Sequence, residues 1–199
     1  MKKFICAVLM GGILFTGCGS VKAVSQFEME PPKHFEEMIR FETAKTIDMG
    51  ITFKQFADNF ADTLDSIGNY SQYYIFNATL KKGSVKDVYQ YNFHSNLSML
   101  ATISHSTGNV IEVSFIASPQ NETHIVEMIT LYGILMKTLN QGLSDYQMNQ
   151  LLKQVYCHPE NISELIKNNG KAIQGNIKYT TFFIENNGLF MLNASPKDF

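Results

Sequence analysis

The sequence predicts an α+β domain in which an antiparallel sheet of about 5–6 strands packs against three main helices. Apolar residues recur at helical spacing in three segments, and short runs rich in aromatic and β-branched residues lie between turn signals. The gaps between these runs are too short for helical crossovers, which favours antiparallel pairing. Hydrophobic residues make up 45% of the 199-residue chain and charged residues 17%, enough apolar material for a packed core.

The first strong helix signal follows Gly50. Thr52 is a suitable N-cap, and Gln55 three residues later completes a capping box. Apolar side chains then recur on one face as far as Ile67, and Gly68-Asn69 ends the pattern. This face carries three phenylalanines that indicate either a core stripe or a ligand groove: Phe53, Phe56 and Phe60.

Strand signals fill the region after this helix. The runs are separated by turn-forming residues and are rich in aromatic and β-branched side chains. We predict an antiparallel meander of about four strands, at residues 73–80, 88–93, 97–103 and 110–117.

The second half of the chain begins with a long predicted helix at residues 122–139, which is apolar on nearly every side. Such a helix lies in the centre of a core or inside an interface. Its length and its charged residues make it a poor membrane span. Ser144 is the predicted N-cap of a third helix, with Gln147 in the capping-box position.

The C-terminal region predicts a helical turn followed by a hairpin. Residues 162–166 form the turn, and residues 171–184 read as one long strand. Asn186-Asn187-Gly188 then predicts a type I′ hairpin turn, because Asn-Gly tolerates positive φ. Residues 189–193 form the return strand.

One pattern occurs twice. Gly50-Ile51-Thr52 and Gly142-Leu143-Ser144 both read glycine, aliphatic residue and hydroxyl cap before an amphipathic helix, and strands follow later in each case. The pattern is explained either by a duplicated helix-plus-sheet unit or by chance, since many helices start in this way.

The first residues have the layout of a secretory signal. Lys2 and Lys3 precede an apolar run of about 11 residues, shorter than the ~20 that a membrane-spanning helix needs. The run ends in Phe15-Thr16-Gly17-Cys18. This segment resembles the lipobox of bacterial lipoproteins, although leucine is usual where Phe15 stands.

The resemblance implies cleavage between Gly17 and Cys18 and a diacylglyceryl group on the Cys18 sulfur. Residues 1–17 would then be the signal peptide, residues 18–32 the lipidated cysteine and a flexible tether, and residues 33–199 a single α+β domain. It also implies a lipid anchor in the cell envelope. In a Gram-negative source Gly19 favours the outer membrane; otherwise we expect the outer face of the cytoplasmic membrane.

The three cysteines then have different fates. Cys6 is removed, Cys18 carries lipid and Cys157 alone remains in the domain, which argues against a structural disulfide. We expect Cys157 to be buried as a small apolar residue. The alternative interpretations are that Cys157 forms an intermolecular disulfide bridge or acts as a nucleophile paired with a histidine.

The sequence signals no catalytic residue, no metal site and no cofactor other than the lipid on Cys18. None of the five histidines stands in a zinc-binding spacing, and the common hydrolase and nucleotide-binding motifs are missing from the sequence. Loss of Lys2 and Lys3 takes the formal charge from −2 to −4. A nucleic-acid partner or a polybasic membrane surface is therefore not expected.

These observations favour a non-catalytic binding module with a partner protein or another component in the envelope. Tyr73, Tyr89 and Tyr91 are the candidate binding surface, because tyrosine offers a rigid contact area with a polar tip. Tyrosine is also common in exposed strands. One alternative is a carrier of a small apolar ligand, with a cavity lined by Met128, Phe115 or Leu135. The other is an enzyme of unrecognised type.

Overall fold

Residues 47–68 and 70–199, which the computed structural model describes, form three α-helices and one seven-stranded antiparallel sheet. The helices are α1 (Phe53–Ile67), α2 (Glu122–Leu139) and α3 (Asp145–Gln154). The strands are β1 (Thr79–Lys81), β2 (Lys86–His94), β3 (Leu97–Ser104), β4 (Val110–Ala117), β5 (Gly170–Gln174), β6 (Ile177–Ile184) and β7 (Leu189–Pro196). The predicted α+β class is confirmed.

The sheet has seven strands where the sequence predicts about 5–6. The predicted long strand 171–184 is two strands, because Gly175 takes a positive φ of 59° and turns the chain between β5 and β6. Only the end of the predicted strand 73–80 pairs, as β1. Residues 71–73 form a short 3₁₀ helix instead.

The predicted hairpin between β6 and β7 is present, but the predicted turn type is wrong. A short 3₁₀ helix over Glu185–Asn187 is followed by Gly188 in the left-handed conformation, with a φ of 62°. The last pair of the ladder is Ile184 with Leu189, so the connection is longer than the two residues of a type I′ turn.

Both predicted helix starts are confirmed as capping boxes. The Thr52 side chain accepts from the backbone N–H of Gln55, and the Gln55 side chain accepts from the backbone N–H of Thr52. Ser144 and Gln147 repeat this arrangement at the start of α3. A helix cap of this kind contributes about 1 kcal/mol to the free energy of unfolding.

The strand order β1-β2-β3-β4-β7-β6-β5 gives the sheet a near-symmetric layout. Strands β2-β3-β4 and β5-β6-β7 are both antiparallel meanders, and their last strands meet where β4 pairs with β7. Each meander follows a helix that begins with the repeated cap pattern, preceded by a glycine of positive φ, Gly50 and Gly142. The described fold thus has a helix followed by a three-stranded meander in both halves, while β1 and α2 have no counterpart. This arrangement does not decide between a duplicated unit and chance.

In the described part of the chain, the core lies between the sheet and one layer of helices. Helix α2 is buried along most of its length. Helix α1 contacts the sheet through Phe60, whose ring lies 6.2 Å from that of Phe115 and 6.5 Å from that of Phe93. Phe53 stacks on Tyr89 with ring centroids 3.9 Å apart. All of these strand side chains point to the same face of the sheet, so the helices cover that face.

The predicted signal peptide, the Gly17–Cys18 cleavage site and the tether 18–32 lie outside the described residues. Within residues 47–68 and 70–199, which belong to one compact unit, no helix is both long enough and apolar enough to cross a membrane.

We expect Phe115→Ala to lower the free energy of unfolding by about 3–5 kcal/mol, because Phe115 is fully buried between α1 and the sheet. Ile116→Ala is the matched control. This neighbour is half-buried on the opposite face, so Ile116→Ala should lower the free energy of unfolding by only about 1 kcal/mol. Urea denaturation followed by circular dichroism measures both values. Equal losses for the two variants would contradict the assignment of the faces.

Candidate binding surface

The sheet face opposite the helices carries half-buried side chains and is the first candidate surface. Along β3, for example, Leu97, Met99 and Ala101 are buried while the residues between them are half-buried. We call the opposite set the open sheet face. It includes Val88, Gln90, Asn92, Ser98, Leu100, Thr102, Glu112, Ser114, Ile116, Lys178, Thr180, Phe182, Met191 and Asn193.

The register places apolar and polar rows side by side on the open sheet face. Ile116 pairs with Met191, which pairs with Phe182, and this gives an apolar row across three strands. In the next row Asn193 lies between Ser114 and Thr180. Its side-chain oxygen is buried without a hydrogen-bond partner among the described residues. Such alternating rows suit a protein interface, in which apolar contact and hydrogen bonding are combined.

A groove of about 470 Å³ lies on this face beside the β1–β2 turn. Three exposed lysines, Lys81, Lys82 and Lys86, stand at its rim. Val88, Leu100 and Ile116 form its apolar floor, and Gln90 and Ser98 add polar groups. We call this feature the lysine groove. The lysine groove is not among the predicted sites, although the close spacing of the three lysines around a turn could have indicated it.

Glu112 is a half-buried carboxyl on the open sheet face, beyond the lysine groove. Burial raises its pKa above the ordinary value, and the charges of Lys86 and Lys178 oppose this shift. Phe199, near these lysines, accepts a hydrogen bond from Lys178 through its main-chain oxygen, and its ring lies 4.9 Å from the Lys86 nitrogen.

The predicted surface tyrosines lie on the helix-covered face, along β2 and beyond its end. Tyr89 stacks on Phe53, and Tyr91 packs edge-on against Phe93 at 5.1 Å. Tyr73 contacts the same Phe93 ring at 6.1 Å. Phe93 therefore connects Tyr73 with Tyr91, and all three tyrosines are half-buried. They form a strip along the strands that also carry the lysine groove, but on the other side of the sheet.

Tyr73 belongs to a polar cluster that the sequence did not predict. Its hydroxyl donates to Oε1 of Glu127 in the second turn of α2, and His94 at the end of β2 lies 3.0 Å from Oε2 of the same carboxylate. The backbone N–H of Asn96 donates to Nδ1 of His94. The proton of a neutral His94 therefore sits on Nε2, which donates to Glu127.

This cluster connects three elements through one carboxylate. The side chains of His94 and Glu127 are 32% and 18% exposed. The pKa of Tyr73 is raised to about 12, first by burial and then by the hydrogen bond and negative charge of Glu127. Residues so far apart in the chain leave no local sequence signal, which is why motif spacing did not find them.

The helical layer carries a second groove, of about 630 Å³. It runs between α2, α3 and the end of α1. Its lining combines apolar residues such as Ile129, Met148 and Leu152 with polar ones such as Lys137, Asp145 and His158. A carrier function predicted a cavity lined by Met128, Phe115 or Leu135, and the described residues show no cavity at this position. Met128, Phe115 and Leu135 are 0–1% exposed and belong to the packed core.

Cys157 is free and buried, as predicted. Burial raises the pKa of its thiol well above the ordinary value, so the reactive thiolate is disfavoured at neutral pH. This geometry fits a small apolar core residue and not an activated nucleophile.

No group of three or more metal-ligating side chains gathers in the described part of the chain. Comparisons with family models, with curated proteins and with solved structures each find no match.

We expect Glu127→Gln to lower the pKa of Tyr73 from about 12 but to leave it above its ordinary 10.0, because burial, the larger cause, remains. The raised pKa also has a consequence for stability. The contribution of the protonated hydroxyl is complete below about pH 10 and is lost between pH 10 and 12. NMR titration of the Tyr73 ring measures the pKa, with Tyr73→Phe to assign the signal. An unchanged pKa in Glu127→Gln would contradict the role of the carboxylate.

Proposed function

We propose that this protein is a lipid-anchored component of the bacterial cell envelope and that its domain is a non-catalytic binding module for an envelope protein. The lipobox-like segment that ends at Cys18 supports the anchor. Acyl chains bury many CH₂ groups at about 0.8 kcal/mol each, so such an anchor needs no basic surface.

The observation that carries the binding role is the open sheet face. Within the described residues the helices cover one side of the seven-stranded sheet, and apolar side chains on the other side, such as Leu100, Ile116 and Met191, are half-buried. Exposed apolar surface that lies between polar groups is typical of interaction sites. The tyrosine strip of Tyr73, Tyr89 and Tyr91, which is the candidate binding surface predicted from the sequence, lies on the other side of the sheet and remains a separate candidate.

The groove of the helical layer, which contains Ile129, Met148 and Leu152, favours a second candidate function, a carrier of a small apolar ligand. Its volume of about 630 Å³ lies in the range of ligand sites, and its lining offers apolar contacts from these three residues. Native mass spectrometry of the purified chain tests this role, since a carrier retains bound apolar molecules. The two functions use opposite sides of the domain and can be examined separately.

We expect Cys18→Ala to abolish incorporation of labelled fatty acid and to release the chain from the membrane fraction, because the predicted acylation site is lost. Metabolic labelling and fractionation measure both effects. Cys157→Ala is the control and should stay labelled, because its thiol is buried in the domain. Labelling that persists in Cys18→Ala would overturn the proposed anchor.

A photo-crosslinking side chain at Gln90 tests the binding role, because Gln90 lies in the lysine groove on the open sheet face. We expect it to capture one discrete envelope protein in intact cells. The same substitution at Gln150, exposed on α3, is the matched control and should capture none. Crosslinks from Gln150 with none from Gln90 would assign binding to the helical layer instead.

A further inference from the structure

The lysines of the domain differ in pairing between its two sides. On the helical side four described lysines are paired with a carboxylate: Lys54 with Asp58, Lys137 with Asp145, Lys153 with Glu160 and Lys167 with Glu164. At the sheet, Lys81, Lys82 and Lys86 form no salt bridge among the described residues. Lys86 interacts at longer range with Glu112 and lies over the Phe199 ring, and Lys82 interacts at longer range with Asp87. Three exposed lysines without a salt bridge give this side of the sheet a local positive charge, and such a patch favours recognition of a partner of opposite charge.

The lysine groove combines this charge with a recessed apolar floor. Lys81, Lys82 and Lys86 are exposed, whereas Val88 and Leu100 beneath them are half-buried. A ligand that reaches the floor must place apolar atoms between the lysines while its own charge meets the ammonium groups. Gln90 and Ser98 offer directional hydrogen bonds at the same site.

We propose that the lysine groove binds an acidic segment of the partner protein. Carboxylates of the segment pair with Lys81, Lys82 and Lys86, and an apolar side chain between them contacts the floor. A flat layer of anionic headgroups matches the lysines but does not enter the recess, so a protein segment fits better than a membrane. This inference rests on the proposed binding role of the open sheet face and specifies the chemistry of its partner.

A labelled octaglutamate peptide is the direct probe, with octaglutamine as its neutral counterpart. Its binding to the full chain, anchored in vesicles of phosphatidylcholine, is measured by fluorescence anisotropy. We expect Lys81→Gln/Lys82→Gln/Lys86→Gln to weaken octaglutamate binding by about tenfold, the loss expected for three exposed ion pairs. Lys54→Gln/Lys153→Gln/Lys167→Gln removes the same charge from the helical side and should change binding by less than about twofold.

Three outcomes would overturn the acidic-segment proposal. Octaglutamate and octaglutamine bind equally, or the two triple variants lose binding equally. In the third, octaglutamate does not bind at all. In that case we also measure whether full chain carrying Cys18→Ser sediments with vesicles of equal parts phosphatidylcholine and phosphatidylglycerol and needs the three groove lysines to do so. Sedimentation that needs them would assign the lysines to a membrane.

Crosslinking from Gln90 in intact cells separates this proposal from the proposed function. Crosslinks that disappear in Lys81→Gln/Lys82→Gln/Lys86→Gln support both. Crosslinks that persist in this triple variant support the binding role of the open sheet face but overturn the proposed acidic partner. If Gln90 gives no crosslink in the otherwise unchanged chain, the binding role of the open sheet face is itself overturned.

Discussion

The fold depends on the burial of α2 against one face of the sheet. This helix is apolar on nearly every side, so it needs cover from every direction. The sheet covers it from below, and α1 and α3 pack beside it. At the centre, the Tyr132 hydroxyl donates to the main-chain oxygen of Asn193 at 3.0 Å, and its ring meets that of Tyr179 edge-on at 6.1 Å. One helix thereby determines the side of the sheet on which the other helices pack.

The open sheet face follows from this one-sided arrangement. Because side chains alternate along a strand, the residues that contact the helices leave their neighbours on the opposite face. Phe115 is fully buried under α1, while Ile116 beside it is half-buried on the open side. The same alternation separates the tyrosine strip from the lysine groove, although both involve β2. The two candidate surfaces are therefore opposite sides of the same strands.

Local signals predicted most of the elements, because their causes are local. The capping boxes at Thr52 and Ser144, the limits of α2 and the limits of β4 all depend on residues a few positions apart. The run 73–80 was predicted wrongly for the opposite reason. Its aromatic and β-branched side chains favour a strand, but a strand also needs a neighbour, and only Thr79–Lys81 finds one in β2.

The sequence by itself determined the α+β class, the helices with their caps and the lipobox-like segment, since composition, periodicity and nearest neighbours encode these features. Only the tertiary structure decided the sites. Glu127 meets His94 across 33 positions and Tyr73 across 54. The lysine groove likewise exists only because β1 to β4 lie side by side. Contacts between distant residues depend on strand register and helix packing, and no local pattern records them.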